Sequence, residues 1–95
     1  MFAGKPLAGQ HALVTGGSRG IGATVSEYLA RMGASISLTA RNAETLDGHA
    51  KNLRDAHGAE VFTSAGDMSK EDHIVAAFEG SVEALGPVDI LVANA

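Results

Sequence analysis

The stretch Thr15–Gly22, "TGGSRGIG", decides the fold. Its four glycines stand between the apolar run His11–Val14, "HALV", and a segment with helical periodicity. Glycine loses more conformational entropy on folding than any other residue, so something at this place requires backbone without side chains. Where a strand hands over to a helix, the first N–H groups point outward and the helix dipole presents about half a positive charge. Such a turn attracts an anion, and glycines let a phosphate come close. Gly16 is read as permitting the tight turn, Gly20 the approach of a pyrophosphate, and Gly22 close contact between helix and sheet. The spacing T-G-x-x-x-G-x-G differs from the generic G-x-G-x-x-G. A merely flexible connection could also be glycine-rich. Position argues against it, because the run directly follows an apolar strand and directly opens an amphipathic helix.

Outward from that turn, short apolar runs alternate with helical patterns, as in consecutive βαβ units. Ala12–Thr15 is the first strand. Ile21, Val25, Tyr28, Leu29 and Met32 form one stripe of a first helix, expected to be its buried face, with Gly33 as its stop. The run "ASISLTA" (34–40) alternates like a second strand. Asn42 can cap a second helix whose buried line is Leu46, Ala50 and Leu53, ended by Gly58 and weakened by Gly48. "AEVFTSA" (59–65) is the third strand. Ser69 and Asp72 form a possible capping box ahead of Ile74, Val75, Phe78, Val82 and Leu85, and Gly86-Pro87 closes that third helix. "VDILVANA" (88–95) supplies the fourth strand. The expected fold class is α/β: a partial Rossmann-type, doubly wound parallel sheet of about four strands and three helices in one domain over residues 1–95.

Composition excludes several functions. The net charge is −4, with Lys and Arg scattered singly, so nothing attracts nucleic acid or an anionic membrane. No apolar run approaches the ~20 residues of a membrane span, and "MFAGKPLAGQ" lacks a secretory core. The absence of cysteine rules out disulfides and thiolate metal sites. A cytoplasmic setting is expected.

With "GDMS" (66–69) and "ILVANA" (90–95), the glycine turn resembles the short-chain dehydrogenase/reductase family in its classical branch, from about Leu7 onward. The resemblance implies an oxidoreductase that moves a hydride between a nicotinamide cofactor and an alcohol or carbonyl, working as a homo-oligomer. It implies that Ser18, Arg19, Gly20, Ile21 and Gly22 lie along the cofactor's phosphates and ribose. Asp67 would accept from the adenine amino group with Met68 beside the ring, and Asn94 and Ala95 would line the adenosine ribose. Most relatives read N-N-A-G at the last motif, where this chain has Ala93 in place of the first Asn.

An NAD-selective fold usually places an acid at the end of its second strand, whereas an NADP-selective one offers an arginine to the 2′-phosphate. Here the strand ends "LTARN" and no carboxylate comes before Glu44. Arg41 sits beside the expected position and Arg19 approaches from the glycine turn. A charge-assisted hydrogen bond of about 1.5–3 kcal/mol would favour NADP roughly tenfold to a hundredfold. A lone arginine would read as a solvated charge. Two around one site without a competing acid favour NADP(H) over NAD.

The family's proton donor is a Tyr-x-x-x-Lys pair helped by a serine. Tyr28 is the only tyrosine, Met32 stands where the lysine would, and Tyr28 is expected to be a buried packing residue. No catalytic residue is therefore assigned. The 95 residues are expected to be the cofactor-binding half of a longer reductase, unable to transfer hydride alone. The alternatives are a catalytically silent NADP(H)-binding module and a fragment that self-associates through the edge of its fourth strand. His11, His49, His57 and His73 lack metal-ligand spacing and read as surface or satisfied histidines, and Asp89 as structural.

Overall fold

The computed structural model describes residues 5–16 and 20–93. Four strands, β1 (His11–Thr15), β2 (Ser35–Ala40), β3 (Val61–Ala65) and β4 (Ile90–Ala93), alternate with helices α1 (Gly20–Arg31), α2 (Ala43–His57) and α3 (Glu71–Leu85). All pairings are parallel and the strand order is β3-β2-β1-β4. The chain thus winds outward from β1 to β3, then returns to add β4 on the other side of β1. That reversal is the switch point of a doubly wound sheet.

Alternation along the strands divides the core. Ala12, Val14, Ile36 and Leu38 face α1 and α2, meeting Ala30, Leu46, Ala50 and Leu53 in one buried cluster. The intervening residues face α3. The expected alternation of β2 between buried and exposed positions does not hold, since Ser37 and Thr39 are as buried as Ile36 and Leu38. A central parallel strand is covered on both faces. Its buried serine is matched by another buried polar residue: His11 Nε2 lies 2.7 Å from Ser37 Oγ, and His11 Nδ1 lies 2.9 Å from the Gly86 carbonyl. Asp89 has the structural role expected of it. Its carboxylate accepts the His11 N–H at 2.8 Å, while its own N–H donates to the His11 carbonyl at 2.8 Å, joining the starts of β1 and β4.

The helix α2 follows its sequence pattern closely. Asn42 Oδ1 accepts the Thr45 N–H, Leu46, Ala50 and Leu53 are buried, and Gly58 ends the helix. The other two stripes need correction. On α1 the buried residues are Gly22, Ser26 and Ala30, whereas Ile21 is 74% and Tyr28 54% exposed; of the expected stripe, Leu29 packs against the core cluster. On α3 they are Ala77 and Ser81, whereas Ile74, Val75 and Phe78 are exposed. Small residues lie against the sheet because the helix backbone approaches it closely there. The large apolar side chains flank that contact line. The capping box is also absent: Lys70 occupies the N-cap without a side-chain bond, and Ser69 turns to Asp67 instead.

Candidate functional site

The carboxyl ends of all four strands open onto one cleft of about 920 Å³. Its rim is formed by Thr15 and Gly16 after β1, Arg41 and Asn42 after β2, Gly66 to Ser69 after β3, and Ala93 at the end of β4. Leu13, Ile74, Phe78 and Leu91 supply an apolar wall. In open parallel sheets this is where ligands bind, outside the strand ends at the switch point.

Backbone bonds hold the rim together. The Gly16 N–H donates to the Thr39 carbonyl and the Gly66 N–H to the Ala40 carbonyl, at 2.8 and 2.9 Å, so the β1 and β3 exits are both tied to the end of β2. The Thr15 hydroxyl donates to the Val92 carbonyl at 3.4 Å. Gly16 and Gly20 have φ of 67° and 60°, which lets the chain reverse from β1 into α1 without the Cβ clash another residue would meet. Because the Gly16 amide is engaged with β2, its contribution is the turn. Among the described residues, the amides of the first turn of α1 have by helix geometry no intrahelical acceptor and are open to a ligand. Gly22 is buried on the sheet side of α1 and Ile21 projects outward. The side chain of Thr39 lines the cleft with its hydroxyl buried and, among the described residues, without a hydrogen-bond partner.

At the far side of the rim, Arg41 Nη2 and Asp67 Oδ1 are 3.1 Å apart. The same carboxylate oxygen accepts the Ser69 hydroxyl at 2.7 Å and the Ser69 N–H at 3.0 Å. The Ser69 hydroxyl, its N–H and the nearby Arg41 charge lower the Asp67 pKa from 3.8 to about 2. Asp67 is therefore an anionic acceptor at neutral pH. Met68 lines the cleft beside it.

Of the residues singled out in the sequence, Gly16, Arg41, Asp67 and Met68 line this one cleft, and Gly20, Ile21 and Gly22 open the adjoining helix. Ser18, Arg19, Asn94 and Ala95 lie outside the described residues. Ser69 and His73 were missed as parts of the site. The D-x-S spacing of Asp67 and Ser69 is the signal of a local side-chain turn and was available in the sequence. No spacing marks His73, whose Nδ1 accepts the Asp67 N–H at 2.8 Å.

A family model described as short chain dehydrogenase matches residues 10–95. Gluconate 5-dehydrogenase of Gluconobacter oxydans is 43% identical over 89 residues, which are 94% of this chain and 34% of that enzyme. The crystal structure of L-sorbose reductase from Gluconobacter frateurii, complexed with NADPH and L-sorbose, superposes with a TM-score of 0.92 at 35% identity, covering 96% of this chain and 35% of that one. A metagenomic short-chain oxidoreductase in complex with NADP gives a TM-score of 0.87 at 43% identity, covering 95% of this chain and 40% of its own. The chain thus spans about a third of the length of these relatives.

Proposed function

Because the chain belongs to the short chain dehydrogenase family, we propose that it is the dinucleotide-binding part of an NADP(H)-dependent oxidoreductase interconverting an alcohol and a carbonyl. The observation that carries this reading is the Arg41–Asp67 pair at the rim of the cleft, on the side opposite the glycine turn. A diphosphate over the first turn of α1 would leave the adenosine directed along the strand ends toward β2 and β3. There Arg41 offers a cation to a 2′-phosphate, and Asp67 offers an acceptor to the adenine amino group. The Thr39 hydroxyl, in the cleft lining and without a hydrogen-bond partner among the described residues, is a further polar group for a ligand to satisfy. Both relatives of known structure named above carry NADP(H), which supports the choice of cofactor.

The reduced nicotinamide, when bound, supplies the hydride. What the described residues contribute is binding and orientation, through the turn, the rim and the apolar wall. Tyr28 does not fit the role of proton donor. It lies on the outer face of α1, away from the cleft lining, with the Arg31 guanidinium 5.3 Å from its ring centre. The acid that protonates the carbonyl oxygen belongs, on this reading, to a part of the enzyme outside these 95 residues, and the segment alone binds nucleotide without turnover. The substrate is a small-molecule carbonyl or alcohol, and the working form is a homo-oligomer in the cytoplasm.

Titration with NADPH and NADH, followed by nucleotide fluorescence, tests the proposal. Saturable binding with NADPH preferred supports it, and tighter binding of NADH overturns the cofactor assignment.

A second reading applies to the 95-residue segment taken alone. Among the described residues β4 pairs only with β1, and Leu91 on it is 65% exposed. An open apolar strand edge of this kind can recruit another copy. A sedimentation coefficient that rises with concentration would support self-association, and a constant monomer value would exclude it.

A further inference from the structure

His73 belongs to no sequence motif, yet its ring reaches the most constrained part of the rim. It stands in the first turn of α3 and points back past the N-cap Lys70 toward the loop that leaves β3. The Asp67 N–H donates to its Nδ1 at 2.8 Å. Only an unprotonated ring nitrogen can accept that bond, so the ring proton resides on Nε2. The ring also lies over Gly66, where a Cβ would come within 3.1 Å of Nδ1. Gly66 and His73 are thus matched: a side chain at residue 66 would crowd the ring that holds residue 67.

The result is a division of labour around one aspartate. Ser69 holds the carboxylate through its hydroxyl and N–H. His73 holds the backbone. The N–H it binds belongs to the Gly66–Asp67 peptide, whose other neighbour along the chain, the Gly66 N–H, is already fixed to the Ala40 carbonyl at 2.9 Å. A capping-box side chain reaches back to the N-cap amide in a similar way. Here the reach extends to the loop, so the bond orders the cleft rim rather than the helix start.

We propose that His73 is a positioning residue of the cleft, which by accepting the Asp67 N–H sets the direction in which the Asp67 carboxylate faces the adenosine end of a bound dinucleotide. The inference rests on the dinucleotide reading of the site. It assigns His73 no contact with the ligand. Its effect is confined to the adenosine end and passes through Asp67.

Two substitutions separate the hydrogen bond from the bulk of the ring. Asn places its Oδ1 near the position of Nδ1 and keeps the acceptor. Phe keeps the ring and removes the acceptor. In the full chain, affinities for NADPH and for adenosine 2′,5′-bisphosphate are measured alongside ligand-free amide hydrogen exchange at Asp67. His73→Asn is expected to bind both probes within about twofold of the unaltered chain and to retain protection at Asp67. His73→Phe is expected to bind both roughly three- to tenfold more weakly, with faster exchange at Asp67. The opposite order, with Phe tolerated and Asn not, assigns His73 to packing and overturns the proposal, as does unaltered Asp67 exchange in His73→Phe. If the unaltered chain binds neither probe, the dinucleotide reading itself fails and the proposal falls with it.

Discussion

Arg41 Nη2 stands 3.1 Å from Asp67 Oδ1, joining the ends of β2 and β3 across the rim of the cleft. The two residues are expected to serve different parts of one adenosine, a 2′-phosphate and an adenine amino group, and without ligand they serve each other. The Arg41 side chain is 78% exposed, and ion pairs in that setting contribute little to stability. On the proposed reading, so weak a pair would yield to a doubly charged phosphate. Arg41→Ala should leave the unfolding midpoint almost unaltered. It should weaken NADPH roughly tenfold to a hundredfold and NADH by no more than about twofold. Equal losses for both nucleotides in a binding titration would contradict the assignment.

The carboxyl of Asp67 should report its own anchoring. Its pKa in the folded chain is about 2, below the ordinary 3.8, with the Ser69 hydroxyl as the largest cause. A lowered folded value means that the stabilising contribution is complete above about 3.8 and is lost as pH falls from there toward 2. Ser69→Ala removes the hydroxyl bond and leaves the backbone N–H bond in place. The pKa of Asp67, followed through its carboxyl carbon by NMR, should move up toward the ordinary value without reaching it. No movement would show that the hydroxyl does not hold the carboxylate.

How far the sequence discloses this molecule depends on how local each determinant is. The helix α2 is legible throughout because Asn42, the Leu46–Ala50–Leu53 line and Gly58 act within one segment. The parallel sheet follows from β-α alternation, whereas the strand order β3-β2-β1-β4 appears only in the fold. The faces of α1 and α3 are not legible in the same way. Periodicity reveals an apolar stripe at Ile21, Val25, Tyr28, Leu29 and Met32, but the surface it meets lies elsewhere in the chain. The sheet selects the small residues Gly22, Ser26 and Ala30 instead. The histidines prove to be satisfied, as expected, but their partners are not legible. His11 meets Ser37 and Gly86, and His49 meets Ser26, partners that no local spacing could bring together. Arg41 and Asp67 were each singled out from the sequence, yet their mutual bond spans two βα units and appears only in the fold.

Tyr28 provides a test of where the chemistry is not. Its ring is exposed on α1 with the Arg31 guanidinium 5.3 Å from its centre, and Met32 occupies the position four residues on. Tyr28→Phe should change the unfolding free energy by no more than about 0.5 kcal/mol, as exposed substitutions do. Nucleotide affinity should be unaltered. If the variant abolished hydride transfer in an enzyme that contains this segment, Tyr28 would be the proton donor after all.

The Ser26–His49 contact links α1 to α2, and the burial of the His49 ring there makes stability depend on pH near neutrality. Ser26 Oγ donates to the Ala23 carbonyl and lies 2.9 Å from His49 Nε2, which must then carry the proton and donate to it. Burial lowers the pKa of His49 against the opposing influence of Glu27 and the Ala23 carbonyl. The folded chain therefore takes up a proton at His49 less readily than the unfolded chain, whose value is near 6.5. The contribution is complete above about 6.5 and is lost as pH falls through the lowered folded value. Urea unfolding should show stability declining as pH falls below about 6.5. His49→Gln, which can still donate from its amide but cannot take up a proton, should flatten that decline. Ser26→Ala should cost about 0.5–1.5 kcal/mol at neutral pH, because it removes the hydroxyl that meets the His49 ring. A decline of the same steepness in His49→Gln would mean that a different group is taking up the proton.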